Sequence, residues 1–591
     1  MKALLVAMNA KYIHSNLGVY SIRAFGLAHG IPGDALEVAE YTINQNTGEI
    51  LADIYRHQPE LVALSCYIWN IRQMEDLAAQ LHQVLPEVPV WMGGPEVSYQ
   101  AKSLLERNEW LAGVMTGEGE ATFLELYRTY ETGQDKASEQ LAHVKGIVYR
   151  ETSSGQVVIT GERQKLSMDE LVFPYHDMEG LKHRIVYYET SRGCPFGCSY
   201  CLSSVDKKVR LRSMSLVEKE LQFFLDNKVP QVKFVDRTFN CQKEHTMAIW
   251  KYIYEHDNGI TNFHFELSAD LLTKEEIAYV SQFRPGLVQF EIGVQSTNPD
   301  TLRAIHRAGS LEKLKERVAK VRKGRNIHQH LDLIAGLPYE DYASFRNSFN
   351  EVYAMQPDQL QLGFLKLLKG SPIFGQQEEF TLVCQEQAPY EVLFTKWLPY
   401  EDVLRLKLVE DMVERYYNSM QFEASVPYVL QQFDSPFDFY QALGVYFQEN
   451  GYLGCHQSRL QNYEILWEFC RQNTKCDENI LRQLLLYDLY ARENLKARPS
   501  FLAEPFSAEQ KKERRELYQK KEFREKYLPA YSDYDWKQVA RMTHLERFDF
   551  QVCVFLETGE LQEESCLLLF DYRQRNPLSH QAAIIPIPLV V

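Results

Sequence analysis

Three of the chain's eleven cysteines stand within eight residues, in the stretch Ser191-Arg192-Gly193-Cys194-Pro195-Phe196-Gly197-Cys198-Ser199-Tyr200-Cys201. Their spacing is C-x3-C-x2-C. Closely spaced thiolates on a short Gly/Pro loop can wrap a metal centre, and iron–sulfur clusters take their ligands this way. A structural zinc site needs four protein ligands and usually shows two separated pairs. No fourth Cys or His follows at short range here. A [4Fe–4S] cluster on three thiolates leaves one iron open to chelate a substrate. Gly193 and Gly197 permit close backbone approach, and Pro195 stiffens the loop. The plainer alternatives are a zinc knuckle or core thiols brought together by chance.

This stretch resembles the cluster loop of the radical S-adenosylmethionine (SAM) enzymes. Their signature is C-x3-C-x2-C, commonly with an aromatic before the last Cys, the position of Tyr200. The resemblance implies a [4Fe–4S] cluster on Cys194, Cys198 and Cys201 whose open iron binds the amino and carboxylate groups of SAM. One electron from the cluster then releases a 5′-deoxyadenosyl radical. That need implies an electron donor such as a flavodoxin or ferredoxin.

The rest of the chain must position this loop. At 591 residues it exceeds one ordinary domain, and about three are expected. Hydrophobic and charged fractions of 45% and 24% fit a soluble globular protein. The net charge of −16 argues against broad nucleic-acid binding, though not against an RNA held by a local patch. No apolar run reaches the ~18 residues that span a bilayer, and the start reads as a strand rather than a secretory leader. The other cysteines are scattered, so a disulfide framework is not expected and a cytoplasmic setting is.

Residues 1–131 alternate strand and helix patterns. Strands are expected at Ala3–Met8, Ala35–Tyr41, Leu61–Tyr67, Val88–Met92 and Gly113–Thr116. Ile71, Met74, Leu77 and Leu81 fall at helical spacing. Five such units predict a doubly wound, flavodoxin-like parallel sheet, with ligands beyond the strands' carboxyl ends. The loops there resemble the cobalamin-binding domain that precedes the radical SAM domain in many enzymes. Gly93-Gly94-Pro95 matches that family's glycine pair beside the nucleotide tail. Gly117-Glu118-Gly119-Glu120 is a second recurrent feature, and Ser65 matches a serine near the dimethylbenzimidazole. Asn9, His14 and Tyr67 join these as candidate cobalamin contacts. Tyr12-Ile13-His14-Ser15-Asn16-Leu17-Gly18 lacks the Asp of the D-x-H-x-x-G motif and has a longer gap to Gly. Cobalamin is therefore expected without a protein His on cobalt, and His14 reads as a cap or loop hydrogen-bonding residue. A nucleotide-binding or regulatory module is the alternative for this domain.

Residues 132–185 read as a connector with a hairpin, Gly146–Glu151 and Gln156–Thr160 around Ser153-Ser154-Gly155. Residues 186–372 again alternate. Strands are expected at Ile185–Thr190, Gln231–Val235, Asn262–Leu267, Leu287–Val294, Gln329–Ile334 and Gln359–Leu365. Ser215 and Glu218 suggest a capping box before Val217, Leu221 and Phe224. Six β-α units suit the open, partial TIM-like barrel of the radical SAM family, with its chemistry at the strands' carboxyl ends. The resemblance then points to SAM contacts there. Asp236 stands where many relatives carry Gly-Gly-Glu for the SAM amino group. Glu266, Gln295 and Ser296 are candidates for SAM hydroxyls or amine, and Ile334 lies in the stretch that packs on adenine. Each could instead be a satisfied strand-end residue. Arg210 and Arg212 could hold a carboxylate, or belong to a solvated basic run with Lys207 and Lys208.

Residues 373–591 change character. Lys396–Met420, Asp438–Phe447 and Lys511–Tyr527 read as helices, the last on the surface. Phe548–Leu556 and Glu563–Tyr572 read as strands around Thr558-Gly559-Glu560. Cys455, Cys470 and Cys476 match no metal motif and read as buried free thiols. This mostly helical region resembles the uncharacterised C-terminal domain of one branch of cobalamin-type radical SAM proteins.

The resemblance implies a cobalamin-dependent radical SAM enzyme that methylates an unactivated carbon. Two readings stand beside it: a non-methylating enzyme of the same architecture (cyclisation, ring contraction or redox chemistry), and a cobalamin- or cluster-dependent sensor.

Overall fold

The computed structural model describes residues 1–133, 137, 139–151, 154–495 and 497–588. They form two compact units, 1–342 with 363–400, and 343–362 with 401 onward.

The first unit begins with a sheet of β1 (Ala3–Asn9), β2 (Leu36–Thr42), β3 (Leu61–Ser65), β4 (Val90–Gly93), β5 (Gly113–Met115), β6 (Ile147–Arg150) and β7 (Val157–Ile159). Its order is β2-β1-β3-β4-β5-β6-β7. The first five strands are parallel and β6 and β7 antiparallel, so the expected hairpin extends the sheet. Ser153 of its turn lies outside the described residues. β1 is buried along its whole length, because helices cover both faces. Leu4, Val6 and Met8 enter one core, and Ala3, Leu5 and Ala7 the other. The order reverses at β1, so a crevice opens between the ends of β1 and β3.

The second sheet holds β8 (Val186–Tyr188), β11 (Gln231–Phe234), β12 (Asn262–Leu267), β13 (Val288–Gln295), β14 (His328–Ala335) and β15 (Gln359–Phe364). Its order is β15-β14-β13-β12-β11-β8, and the pairs from β8 to β14 are parallel. Strands following one another in sequence order, with helices between them, make the open (β/α)6 barrel. Two short antiparallel strands, β9 (Ser191–Arg192) and β10 (Arg210–Leu211), close the base of the cysteine loop. A second short antiparallel pair, β16 (Val383–Cys384) and β17 (Val392–Phe394), follows the barrel strands. The helix after them spans Met214–Asp226 and buries Val217, Leu221 and Phe224. The expected capping box at Ser215 and Glu218 is absent. Ser213 is the cap residue, and its backbone N–H donates to Asp169 at 2.8 Å.

The second unit is mostly helical, with a three-stranded antiparallel sheet of β18 (Thr543–Phe548), β19 (Cys566–Arg575) and β20 (Ala582–Ile587). The expected strand Phe548–Leu556 is corrected. Val552–Thr558 is a helix, closed by Gly559 in the left-handed conformation. Lys511–Tyr527 divides into helices Ala508–Gln519 and Lys521–Tyr527. Of the three cysteines read as buried thiols, Cys470 is buried, Cys476 half-buried and Cys455 exposed. No helix among the described residues is long and apolar enough to cross a membrane.

Candidate functional site

The cysteine loop is held from several sides. Gly193 has φ +97°, and a Cβ there would lie 2.5 Å from the Lys208 carbonyl oxygen. Cys194 N–H donates to Asp206 O at 2.8 Å, and Cys201 N–H to Cys198 O at 3.2 Å. Cys194 and Cys198 are buried and Cys201 is half-buried. Among the described residues, the one trio of His, Cys, Asp or Glu ligand atoms lying within 4.8 Å of one another is Glu291, His330 and Asp332. The three thiols converge on one cavity, as ligands of a single metal centre must.

The thiols open into a cavity of about 190 Å³. Tyr200, Glu266 and Gln295 line it with them, as do Arg237, Thr238, Ser268, Glu291, Arg307 and Asp332. Arg307 donates to Gly293 O at 2.6 Å and reaches Cys198 Sγ at 3.8 Å, which puts positive charge beside a thiol. Gln295 sits at φ +73°, next to a register irregularity after Gly293. A side chain at 293 would collide with the Gln295 amide, so Gly293 gives that amide its room.

Two expected SAM contacts, Asp236 and Ser296, are not among the residues that line this cavity. Asp236 is buried and accepts from Thr190 N–H at 3.0 Å, Thr190 Oγ1 at 2.7 Å and Ser191 Oγ at 2.6 Å. It organises the chain just ahead of the cysteines rather than facing the cavity. Burial still pushes its carboxyl up to about 6, despite those donors. Ser296 is buried, donates to Glu340 at 2.7 Å and accepts from Asn298 N–H at 3.0 Å. Ile334 is half-buried on the face of β14 that carries Asp332, and with Tyr200 it packs against the cluster of Ile305, Leu337 and Leu365. Arg237, Arg307, Glu291 and Asp332 were missed. The available signal was alternation along the barrel strands, which puts Glu291 and Gly293, or His330 and Asp332, on one face.

The candidate cobalamin contacts gather at the carboxyl edge of the first sheet. Asn9 ends β1 and donates to His14 O at 3.1 Å and Glu40 at 2.9 Å. His14 Nδ1 lies 2.7 Å from the Tyr187 hydroxyl, and burial lowers its pKa. Ser65 Oγ accepts from Asn16 Nδ2 at 3.4 Å. Tyr67 stacks on Trp69 with centroids 4.4 Å apart. Gly93 ends β4, and Pro95 opens the one-turn helix Pro95–Ser98. Gly94 has φ +115°, and a Cβ there would press into the Cys66 carbonyl. What demands glycine at 94 is thus the chain's own β3 loop. Gly117 has φ +77° with open space around it, and Tyr12, Trp69 and Tyr99, in the segments that follow β1, β3 and β4, are exposed. An open edge with exposed rings fits a large flat cofactor.

Family comparisons agree with both halves of this geometry. Residues 3–127 match the B12 binding domain, and residues 188–352 match the radical SAM superfamily. The chain carries a B12-binding domain followed by a radical SAM domain. Residues 378–570 match a family described as a protein of unknown function, DUF4080. The cobalamin-dependent radical SAM methyltransferase TokK of Streptomyces tokunonensis is 26% identical over 54% of this chain and 48% of its own length. An anaerobic magnesium-protoporphyrin IX monomethyl ester cyclase of Cereibacter sphaeroides is 21% identical over 54% of this chain and 53% of its own. The chain thus spans about half the length of these curated relatives. Among solved structures, the cobalamin-dependent SAM radical enzyme OxsB with aqua-cobalamin bound shares the fold at a TM-score of 0.57. It is 16% identical and aligns over 83% of this chain and 80% of that one.

The two edges are tied by ion pairs that are largely withdrawn from solvent. Arg192 meets Glu120 and Glu189 at 2.6 Å each and Glu118 at 3.6 Å. Arg210 also pairs with Glu118. The Gly-Glu-Gly-Glu loop of the B12-binding domain thereby grips both strands at the base of the cysteine loop. Arg212 is no part of a solvated run. It is buried in a forked pair with Glu220, with contacts of 2.5–3.0 Å. Both arginines hold the protein's own carboxylates.

Proposed function

We propose that this chain is a cobalamin-dependent radical SAM enzyme that transfers a methyl group to an unactivated carbon. The observation that carries the reading is one continuous unit in which the cysteine cavity and the B12-binding edge are joined through Arg192 and Arg210. When bound, the cluster supplies the electron that cleaves SAM, and cobalamin carries the methyl group. Cys194, Cys198 and Cys201 would hold the cluster. Arg307 balances thiolate charge. Arg237, Glu266, Ser268 and Gln295 present donors and acceptors to SAM. Gly117, Glu118 and the exposed rings would receive the corrin. The similarity to TokK favours methyl transfer, and the similarity to a cyclase supports a second, non-methylating reading. The electron would come from a small donor protein such as a flavodoxin or ferredoxin.

The test is anaerobic turnover with methyl-labelled SAM, cobalamin and reductant. S-adenosylhomocysteine and 5′-deoxyadenosine should form in comparable amounts, with label in a product. Formation of 5′-deoxyadenosine in the presence of substrate without label transfer would replace this reading with the non-methylating one.

A further inference from the structure

The sheet of the second unit buries charge on one of its faces. Leu545, Leu567, Leu569 and Ile587 enter an apolar core with Tyr518 and Val539. On β18, His544 and Glu546 flank Leu545, so they point to the opposite face, and both are buried. Glu546 has its partners there. Arg498 forks onto its carboxylate through Nε and Nη2, and Arg498 Nη1 donates to Glu504 O at 3.0 Å. His544 Nε2 lies 3.0 Å from the same carboxylate, and Arg514 of the helix Ala508–Gln519 brings Nη2 to 3.3 Å from His544 Nδ1. The ring nitrogen that faces a guanidinium is the acceptor, so Nε2 carries the proton and donates to Glu546. The imidazole is neutral, and burial pushes its pKa down to about 4.

Among the described residues, Arg514 has no carboxylate partner, and its buried Nε–H has no acceptor. Arg498 and Arg514 both lie against Phe506, 3.6 Å and 4.0 Å from its ring centroid, so the two like charges are neighbours. They share one carboxylate, Glu546. Two further charges close by do not alter that count. Arg547 is exposed and pairs with Glu513 at 2.7 Å, and Asp571, opposite Thr543 and hence on the other face, accepts from the Tyr531 hydroxyl. Burial lowers the Arg514 pKa, whereas around Arg192 of the first unit the carboxylates outweigh burial and raise it. A second donor is stranded beside Arg514. Tyr490, on the helix Glu478–Arg492, stacks on His544 with ring centroids 3.7 Å apart. Its hydroxyl is buried and has no partner among the described residues. Two donors without an acceptor thus attend one imidazole, with one positive charge in excess. Buried polar groups are rarely left so, and a bound ion is one way they are satisfied.

We propose that this cluster is an anion site, which takes the carboxylate or phosphate group of a small ligand onto Arg514 and the Tyr490 hydroxyl. Such a group is acceptor-only and charged, so it satisfies both donors and offsets the second guanidinium. A buried water would accept from both donors but leave the charge uncompensated. Arg514 is half-buried, which gives the ligand its way in from solvent. None of these residues lines the cysteine cavity, so the site is additional to the one proposed above.

The test is thermal unfolding of the full chain in Tris–chloride buffer with increasing sodium acetate or sodium phosphate, the ionic strength held constant with sodium chloride. At least one of the two anions should raise Tm saturably, by about 3 °C or more, because a ligand bound by the native state alone stabilises it by mass action. Which anion acts identifies the group that the site takes. Tyr490→Phe and Arg514→Gln should each lose most of that rise. With chloride alone, Tyr490→Phe should leave Tm unchanged or raise it, because it removes a buried hydroxyl that has no partner. A lower Tm of Tyr490→Phe in chloride would mean that the hydroxyl is bonded within the fold, and overturns the proposal. So does the absence of any rise with either anion in the native chain, or a rise that both variants keep in full.

Discussion

Arg192, two residues before the first cluster cysteine, reaches out of the barrel domain to place its guanidinium 2.6 Å from Glu120 of the B12-binding domain. Burial alone would raise the Glu120 carboxyl, but Arg192 outweighs it and holds that group below its ordinary range. A carboxyl so depressed stabilises the fold above its unfolded pKa and loses that contribution as pH falls through the folded value. Arg192→Ala should lower stability by about 3 kcal/mol, because it leaves Glu120 buried, and Glu189 half-buried, without their cation. A double-mutant cycle with Glu120→Gln, read by denaturant unfolding of the full chain, should show a coupling above about 1 kcal/mol. Additive effects would show that the pair does not join the two domains.

The cysteine triad makes a sharper prediction. Anaerobic reconstitution should load about four irons per chain, as the cluster type requires. Cys194→Ala, Cys198→Ala or Cys201→Ala should abolish the broad visible absorption and SAM cleavage together. Cys241→Ala and Cys384→Ala should keep the iron, because neither belongs to the C-x3-C-x2-C loop and neither lines the cavity into which its thiols open. Iron retained in a triple Ala variant would overturn the ligand assignment.

The two sheets were legible because β-α alternation is a periodic signal, and a buried parallel strand such as Ala3–Asn9 stands out as an apolar run. Non-local pairing was not legible. Arg212 read equally as a solvated charge, and only the fold brings Glu220 under it. Asp236 has the strand-end position of a ligand contact, yet a carboxylate there can turn inward to neighbouring backbone as easily as outward, as it does to Thr190 N–H. Val552 to Leu556 is β-branched and aromatic, yet the chain turns helical there, because β18 already ends at Phe548, paired with Cys566. Local propensity yields to tertiary pairing at such points. For Glu291 and Asp332, which line the cavity, strand alternation was only half a signal. One alternate face of a strand reads as core, and nothing in a single strand says whether the other face meets solvent or a cavity.

In the second unit, Asp488 is buried and accepts from Ala424 N–H at 2.8 Å, Ser425 N–H at 2.8 Å and Ser425 Oγ at 2.6 Å. Burial nevertheless pushes its carboxyl up to about 7. Here the sign is opposite to that of Glu120. The native state binds a proton more tightly than the unfolded chain, so stability is present in full at acid pH and falls as pH rises through about 4 to 7. The loss is on the order of 2–4 kcal/mol. Asp488→Asn removes the titration, so the difference in Tm between native and variant chains should change with pH across that window and be flat above it. A difference that stays constant from pH 4 to 8 would show that Asp488 keeps its ordinary pKa.

The two positive-φ glycines at the B12-binding edge should separate folding from cofactor binding. Gly94 combines φ +115° with ψ 172°, a region open essentially to glycine, and a Cβ would press on the Cys66 carbonyl. Gly94→Ala therefore meets both strain and collision before any cofactor arrives. Loss of about 2–4 kcal/mol is expected, seen as a lower Tm of the cofactor-free protein. Gly117 has φ +77° but open space around its Cα. Gly117→Ala carries the left-handed penalty of about 1–2 kcal/mol and no collision. Its larger effect should fall on cobalamin affinity, measured by equilibrium dialysis, because the added methyl group enters the open edge. If Gly94→Ala leaves the cofactor-free Tm in place and only weakens cobalamin, crowding against Cys66 is not what demands glycine, and the demand comes from the nucleotide tail.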